Sequence, residues 1–399
     1  MKGHIQKRGE NSWRLTVFVG IDEATGKRRY AQKTVRGTKR EAQTTLARFV
    51  TEVSSGLHTA PGSITLDELL TRWRELKVHQ VSATTLEGYD FIIKRYIRDP
   101  LGRVRIDKLR AADLDRFYGQ LLETGGHDGK PLSARTVRLA HVVLRQALAQ
   151  ARKWGMVVVN VAEDATPPRT RHTEIHPPSG DEVARILCAA MDYDPDFGVL
   201  LRLLAATGCR RGEALALRWR DIVLDTERGS GEILFSRSMA STAKGVLEKD
   251  TKTHQSRRVA IDVGTAAVLR DHRTRWEERA GEAAAKITDD SLLFSSSVDA
   301  STPWRPDVAT NRFIRLCQDL GIEGVRLHDL RHYVATSLGA AGTPIATIST
   351  RLGHRDRATT LNVYSHSLPA LDQQAADVIG GLLDESANIN GRSDETAVR

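Results

Sequence analysis

"ATPPRTRHTEIHPPSGDE", residues 165–182, decides how this chain is divided. Four prolines and no apolar periodicity over 165–180 read as a linker. Ser179-Gly180-Asp181-Glu182 follows at once. A serine with a glutamate three positions on is a capping box, in which each side chain satisfies the other residue's backbone N–H at a helix start. One folded region therefore closes near 165, and another opens near 173.

Toward the N-terminus, Val137, Ala140, Leu144, Ala147, Leu148 and Ala151 form a single apolar stripe of helical period behind Ser133, an N-cap candidate. Further helices are expected at about 112–124, after Ser82 until Asp99-Pro100-Leu101-Gly102 breaks it, and from Thr65-Leu66-Asp67-Glu68 to about Lys77. Residues 62–165 thus read as a four-helix domain. Its Arg135, Arg138, Arg145 and Arg152 stay largely off the apolar stripe. A solvated face and a DNA-backbone contact both fit that pattern. Residues 54–63 form a second linker. Ahead of it, 13–19 and 28–35 read as strands, and Thr38-Lys39-Arg40-Glu41 opens a helix to about Val53. Residues 1–58 therefore read as a small β-hairpin or three-stranded sheet with one helix behind it. The strand region carries Arg14, Lys27, Arg28, Arg29 and Lys33, and a two-stranded ribbon fits a DNA major groove.

Toward the C-terminus, helices are expected at 197–207, 213–219, 265–285, 306–320, 328–340 and 343–352, with strands at 231–238 and 257–262. The third domain, 173–385, is mostly helical with a small antiparallel sheet. The polar tail 386–399 is expected to be disordered. The fold class is α+β, mainly helical and multidomain.

The net charge of +9 is unevenly spread. Residues 1–60 carry 12 Lys and Arg against 5 Asp and Glu, and residues 61–170 carry 18 against 13. The remainder is slightly acidic. A basic front half fits a polyanion such as nucleic acid. No apolar run is long enough to cross a membrane, and the first residues lack a signal-peptide core. Three isolated cysteines fit a reduced, cytoplasmic setting with neither a disulfide frame nor a thiolate metal site.

Four stretches of the third domain carry chemistry. In "ATGCRRGEALALRWRDI", 206–222, Arg210 follows a glycine turn at a helix start, with Glu213 three residues on to orient it. In "EKDTKTHQSRRVAID", 248–262, Lys252 stands before a strand. "VRLHDLRHYVATSLG", 325–339, sets His328 and His332 four apart with Arg331 between them. Two imidazoles at that spacing suit a metal, but the glutamate of a His-Glu-x-x-His zinc site is missing and an arginine beside a cation is costly. His328 and Arg331 suit an anion better. "ISTRLGHRDRATTLNVYSH", 348–366, adds His354 and Tyr364. Taken singly, each has an ordinary structural explanation; a tyrosine in such a helix is usually core.

Taken together, T-G-C-R-R-G-E, T-K-T, H-D-L-R-H, L-G-H and Y-S-H, in this order, resemble the tyrosine recombinases, or phage-type integrases. The resemblance implies a site-specific recombinase that cuts and rejoins DNA through a 3′-phosphotyrosine intermediate. Arg210, Lys252, His328, Arg331, His354 and Tyr364 would be its catalytic residues, Tyr364 being the nucleophile. It further implies an arm-type DNA-binding module at 1–58, a core-binding domain at 62–165 and the catalytic domain at 173–385. Its partners would be double-stranded attachment sites, a homo-tetramer in the synaptic complex, and an excisionase or DNA-bending host factor; no cofactor or metal is called for. A type IB topoisomerase and a catalytically idle DNA-binding regulator are the competing readings.

Overall fold

The computed structural model describes residues 3–21, 28–54, 64–170, 177–250 and 256–353. The chain divides into two compact units, Met1–His172 and Thr173–Arg399.

In the first unit, β1 (Gly3–Gly9), β2 (Ser12–Ile21) and β3 (Arg28–Arg36) form an antiparallel sheet in that order, and α1 (Lys39–Ser54) follows. Strand side chains alternate between faces. Leu15, Val17 and Ala31 accordingly turn one way and bury against Ala42, Phe49 and Val53 of α1. Lys33 lies opposite Leu15, so it shares the helix-facing side, with its ammonium 5.8 Å from the Phe49 ring centroid. It is therefore not on the open face with Arg14, Arg28 and Arg36. Of the two expectations for residues 1–58, a β-hairpin or a three-stranded sheet, the second holds, with β1 at a place that the weak apolar pattern of HIQKR does not mark.

A separate core is built by α2 (Leu66–Val78), α3 (Ala83–Ile92), α4 (Arg98–Leu101), α5 (Ala111–Thr124), α6 (Ala134–Lys153) and α7 (Val161–Asp164). The capping box at Thr65 is complete: its amide donates to the Glu68 carboxylate at 2.7 Å, and the Glu68 amide to the Thr65 hydroxyl at 3.3 Å. The helical stretch that opens at Ala83 ends, as expected, within Asp99-Pro100-Leu101-Gly102, at Leu101 with Gly102 as its cap. A π-helical turn at Ile93–Ile97 widens the coil, Arg98 restarts it, and the proline falls in a first turn where its missing N–H is not needed.

The second unit opens with α8 (Gly180–Tyr193), its capping box at Ser179 intact, and α9 (Pro195–Thr207). Then come α10 (Arg211–Leu215), β4 (Ile222–Leu224), β5 (Gly231–Phe235), β6 (Arg237–Thr242), β7 (Gly245–Asp250) and β8 (Arg257–Ile261). α11 (Val263–Glu282), α12 (Pro306–Asp319), α13 (Asp329–Ala340) and α14 (Ile345–Leu352) complete the described part. The stretch 231–238 is not one strand. It breaks after Phe235, β5 joining the antiparallel sheet β4–β5–β8 and β6 pairing with β7. The helix expected at 213–219 starts and stops earlier, because Leu217 and Arg218 are drawn into bridges with residues 292 and 293. The expected tail 386–399 lies outside the described residues.

Candidate active site

Helix α9 ends in Gly208, whose φ of 65° is left-handed. A Cβ there would sit 2.4 Å from the Leu352 side chain, so glycine serves both the turn and the close approach of α14. Cys209 is buried, and its amide donates to the Thr207 hydroxyl at 3.2 Å. This turn sets Arg210 at the start of α10.

Glu213 then fixes Arg210 twice. Its carboxylate accepts the Arg210 amide and one guanidinium N–H, both at 2.9 Å. Glu213 is buried, yet it stays below its usual carboxylate pKa. Burial alone would raise it, but hydrogen bonds and charges from Arg257 and Arg210 outweigh that cost. A second Arg210 nitrogen reaches the Gly353 carbonyl at 3.3 Å, at the left-handed cap of α14.

At the start of α13, Asp329 is buried and accepts the Arg326 amide at 2.8 Å. This shapes the turn that presents His328 and Arg331. Arg331 is 4% exposed and donates Nη1 to the Gly208 carbonyl at 2.5 Å. Its buried Nη2 has no hydrogen-bond partner among the described residues. Burial, and next the Arg210 charge, push its pKa down to about 9, which leaves it cationic at neutral pH. His328 keeps an exposed edge. Partial burial, then His332 and Arg331, lower its pKa, so the ring is neutral at neutral pH and able to accept a proton.

The structure thus brings Arg210, His328 and Arg331 into one electrostatic neighbourhood. The His328 and His332 rings meet edge to face, with centroids 5.1 Å apart. Lys252, His354 and Tyr364 lie outside the described residues.

Two supporting arginines escaped the sequence reading. Arg257 Nη2 donates to Glu213 at 2.7 Å, and its Nε to the Arg351 carbonyl at 2.9 Å. Arg351 in turn donates to the carbonyls of Ala206 and Ala260. A signal existed for Arg257: it shares the inward face of β8 with buried Val259 and Ile261, where a cation is out of place without a partner.

Residues 179–370 match the model of the phage integrase family, and 65–122 match that of the phage integrase N-terminal SAM-like domain. Together the two matches span more than half of the chain. The chain is 25% identical, over 96% of its length and 99% of the relative, to a "Tyrosine recombinase XerC-like" protein of Caldanaerobacter subterraneus. It is 24% identical to the ICEBs1 integrase of Bacillus subtilis, over 95% and 100% of the two chains. Among solved structures, the Tn1549 transposon integrase in complex with a circular intermediate DNA superposes with a TM-score of 0.63 at 20% identity, covering 78% of this chain and 100% of that one. A lambda integrase tetramer bound to a Holliday junction gives 0.55 at 18% identity, covering 88% and 96%. These structures share the fold.

Proposed function

Because the chain belongs to the phage integrase family and is a tyrosine recombinase, an enzyme that breaks and rejoins DNA strands, we propose the following assignment of its residues and partners. Arg210 and Arg331 hold the scissile phosphate of a double-stranded attachment site. The observation that carries this is the buried Nη2 of Arg331, which has no hydrogen-bond partner among the described residues, in the field of a second guanidinium. Arg210, Arg331 and Arg257 are three cations about the single carboxylate of Glu213, so the cluster keeps excess positive charge, and a phosphate offsets it while accepting from free N–H groups.

Tyr364 attacks the phosphorus and forms a 3′-phosphotyrosine bond while a DNA hydroxyl leaves. A phenol has an unperturbed pKa of about 10, so the surrounding cations matter twice: they favour the phenolate and offset charge that builds on the nonbridging oxygens. Neutral His328 takes the tyrosine proton. Lys252 gives one to the leaving oxygen, and His354 hydrogen-bonds the phosphate. One ester replaces another, so a hydroxyl from a second duplex reverses the step and completes strand exchange without ATP.

Residues 1–58 bind accessory arm sites and 62–165 grip the core site. Four protomers assemble on two duplexes in the cytoplasm, with an excisionase or bending factor setting direction.

The test uses a duplex bearing the junction between the mobile element and its host. Wild-type protein should form a covalent adduct and exchange strands between two such sites, and Tyr364→Phe should bind without forming any adduct. An adduct in that variant would remove Tyr364 from its role. Relaxation of any supercoiled plasmid, without exchange, would favour the topoisomerase reading.

A further inference from the structure

The carboxylate of Glu213 is shared. One oxygen takes the Arg210 guanidinium; the other takes the Arg210 amide and Arg257 Nη2. Glu213 is 1% exposed, and the Arg257 side chain 9%. Arg257 also spends its Nε on the carbonyl of Arg351 and lies 4.8 Å above the Phe235 ring centroid. The Gly353 backbone is pressed against it: a Cβ on that glycine would come within 3.0 Å of Arg257 Nη1. One side chain thus ties strand β8, the start of α10 and the end of α14. In sequence, β8 begins five residues after Lys252, and Gly353 directly precedes His354.

We propose that Arg257 is a positioning residue for strand cleavage, acting through Glu213 on Arg210 and through the Arg351 carbonyl on the end of α14. This inference rests on the recombinase reading above. The electrostatic argument is specific. A buried carboxylate facing Arg210 alone would pair fully with it and compete with the phosphate for the same donors. By taking the second oxygen, Arg257 supplies countercharge and leaves the Arg210 guanidinium tied to the carboxylate through one nitrogen, its Nη2 resting on the Gly353 carbonyl. Its planar fork matters as well, because Nε and Nη2 diverge toward two partners on different elements, which a lysine ammonium cannot reproduce. Arg257 has no direct role at the phosphate in this scheme.

The experiment is a double-mutant cycle on the full chain: wild type, R257A, E213Q and the double variant, with R257K alongside. Each is assayed for single-turnover adduct formation at saturating protein on a nicked junction duplex, for affinity to that duplex, and for melting temperature. R257A should slow adduct formation by about 10²-fold, the scale set by misplacing a reacting group, with duplex affinity within about twofold of wild type. The double variant should be no slower than its slower single, because both act on one guanidinium. R257K should recover only part of the rate. If R257A does not fold, R257K combined with E213Q carries the same cycle. Wild-type rates in R257A, strictly additive losses, or a loss seen wholly in affinity would overturn the proposal. A wild-type protein that makes no adduct would instead overturn the recombinase reading.

Discussion

Arg331 shows how a single side chain pits stability against chemistry. It is buried, its guanidinium has one hydrogen bond among the described residues, to the Gly208 carbonyl, and the Arg210 charge opposes its own. Burying an ion that its surroundings do not fully compensate costs folding free energy, and an apolar residue of similar length removes that cost. Arg331→Met should therefore unfold in urea at no lower free energy than wild type. The same change should slow adduct formation by about 10²–10³, as loss of a preorganised donor to a transition-state oxyanion does. Urea melts and adduct kinetics on one preparation check both halves; a variant that is clearly less stable would mean that the Gly208 bond outweighs the charge repulsion. His328 makes a prediction in pH. Its folded pKa lies below the ordinary 6.5, because partial burial and neighbouring cations disfavour the imidazolium. Above 6.5 the ring is neutral folded and unfolded, and costs nothing. As pH falls through 6.5 the unfolded chain takes the proton first, and stability drops until the folded ring also titrates. His332, lowered by the same burial, adds to the slope. His328→Asn should shrink the stability lost between about pH 7.5 and about pH 5, the window of that linkage, as read from urea melts at both values.

Elements are where the chain is most legible, and also where it misleads. The capping boxes at Thr38, Thr65 and Ser179 are local, three residues wide, and each forms as the spacing predicts. Arg210 and Glu213 are equally local, so their pairing could be read directly. Arg257 reaches Glu213 across 44 residues and Arg351 across 94, and nothing short-range announces such contacts. The polar strand β7 hides for a related reason. Glu248 on it is satisfied by Arg218, 30 residues away, and by Arg237 on the paired strand β6. The break at Asp99-Pro100-Leu101-Gly102 is local, and the helix does end there, whereas the π-helical turn just ahead of it has no signal in the sequence. Gly208 joins α9, α10 and α14 at one point, which makes it the best single test of how these elements assemble. Its left-handed φ of 65° penalises any Cβ, and Leu352, fully buried, must also give way. Gly208→Ala should cost about 2–4 kcal/mol from backbone strain and overpacking together, seen as a lower urea midpoint. Adduct formation should fall with it, since the turn carries both Arg210 and the Arg331 acceptor. A variant with unchanged stability would show that the turn relaxes freely and is not what holds the site.

At the scale of the whole molecule, positive charge and independent cores govern what the chain can lose. All of the excess positive charge lies in the first 170 residues, while the rest, which holds the proposed catalytic residues, is slightly acidic. The sheet module has its own core of Leu15, Val17, Ala31, Ala42, Phe49 and Val53. The helices that follow bury a different set, from Leu66 to Ala165. No residue is common to the two cores, so removal of 1–58 opens no cavity in the helical bundle. The truncated chain should melt with the bundle and catalytic transitions unchanged. It should cleave a short core duplex at the wild-type rate and lose efficiency only where arm sites are required. Its DNA affinity should also respond less steeply to salt. Each phosphate contact removed lowers the slope of log affinity against log salt by about 0.9, and the module carries 12 of the chain's Lys and Arg within residues 1–60. Titrating binding to a long junction duplex over a range of salt, for full-length and truncated protein, reads that difference directly. Identical slopes would mean that the basic sheet contacts no DNA and that its charge serves solubility alone. Slower core cleavage by the truncated chain would mean that the module acts on the catalytic step itself rather than on the reach of the complex along the duplex.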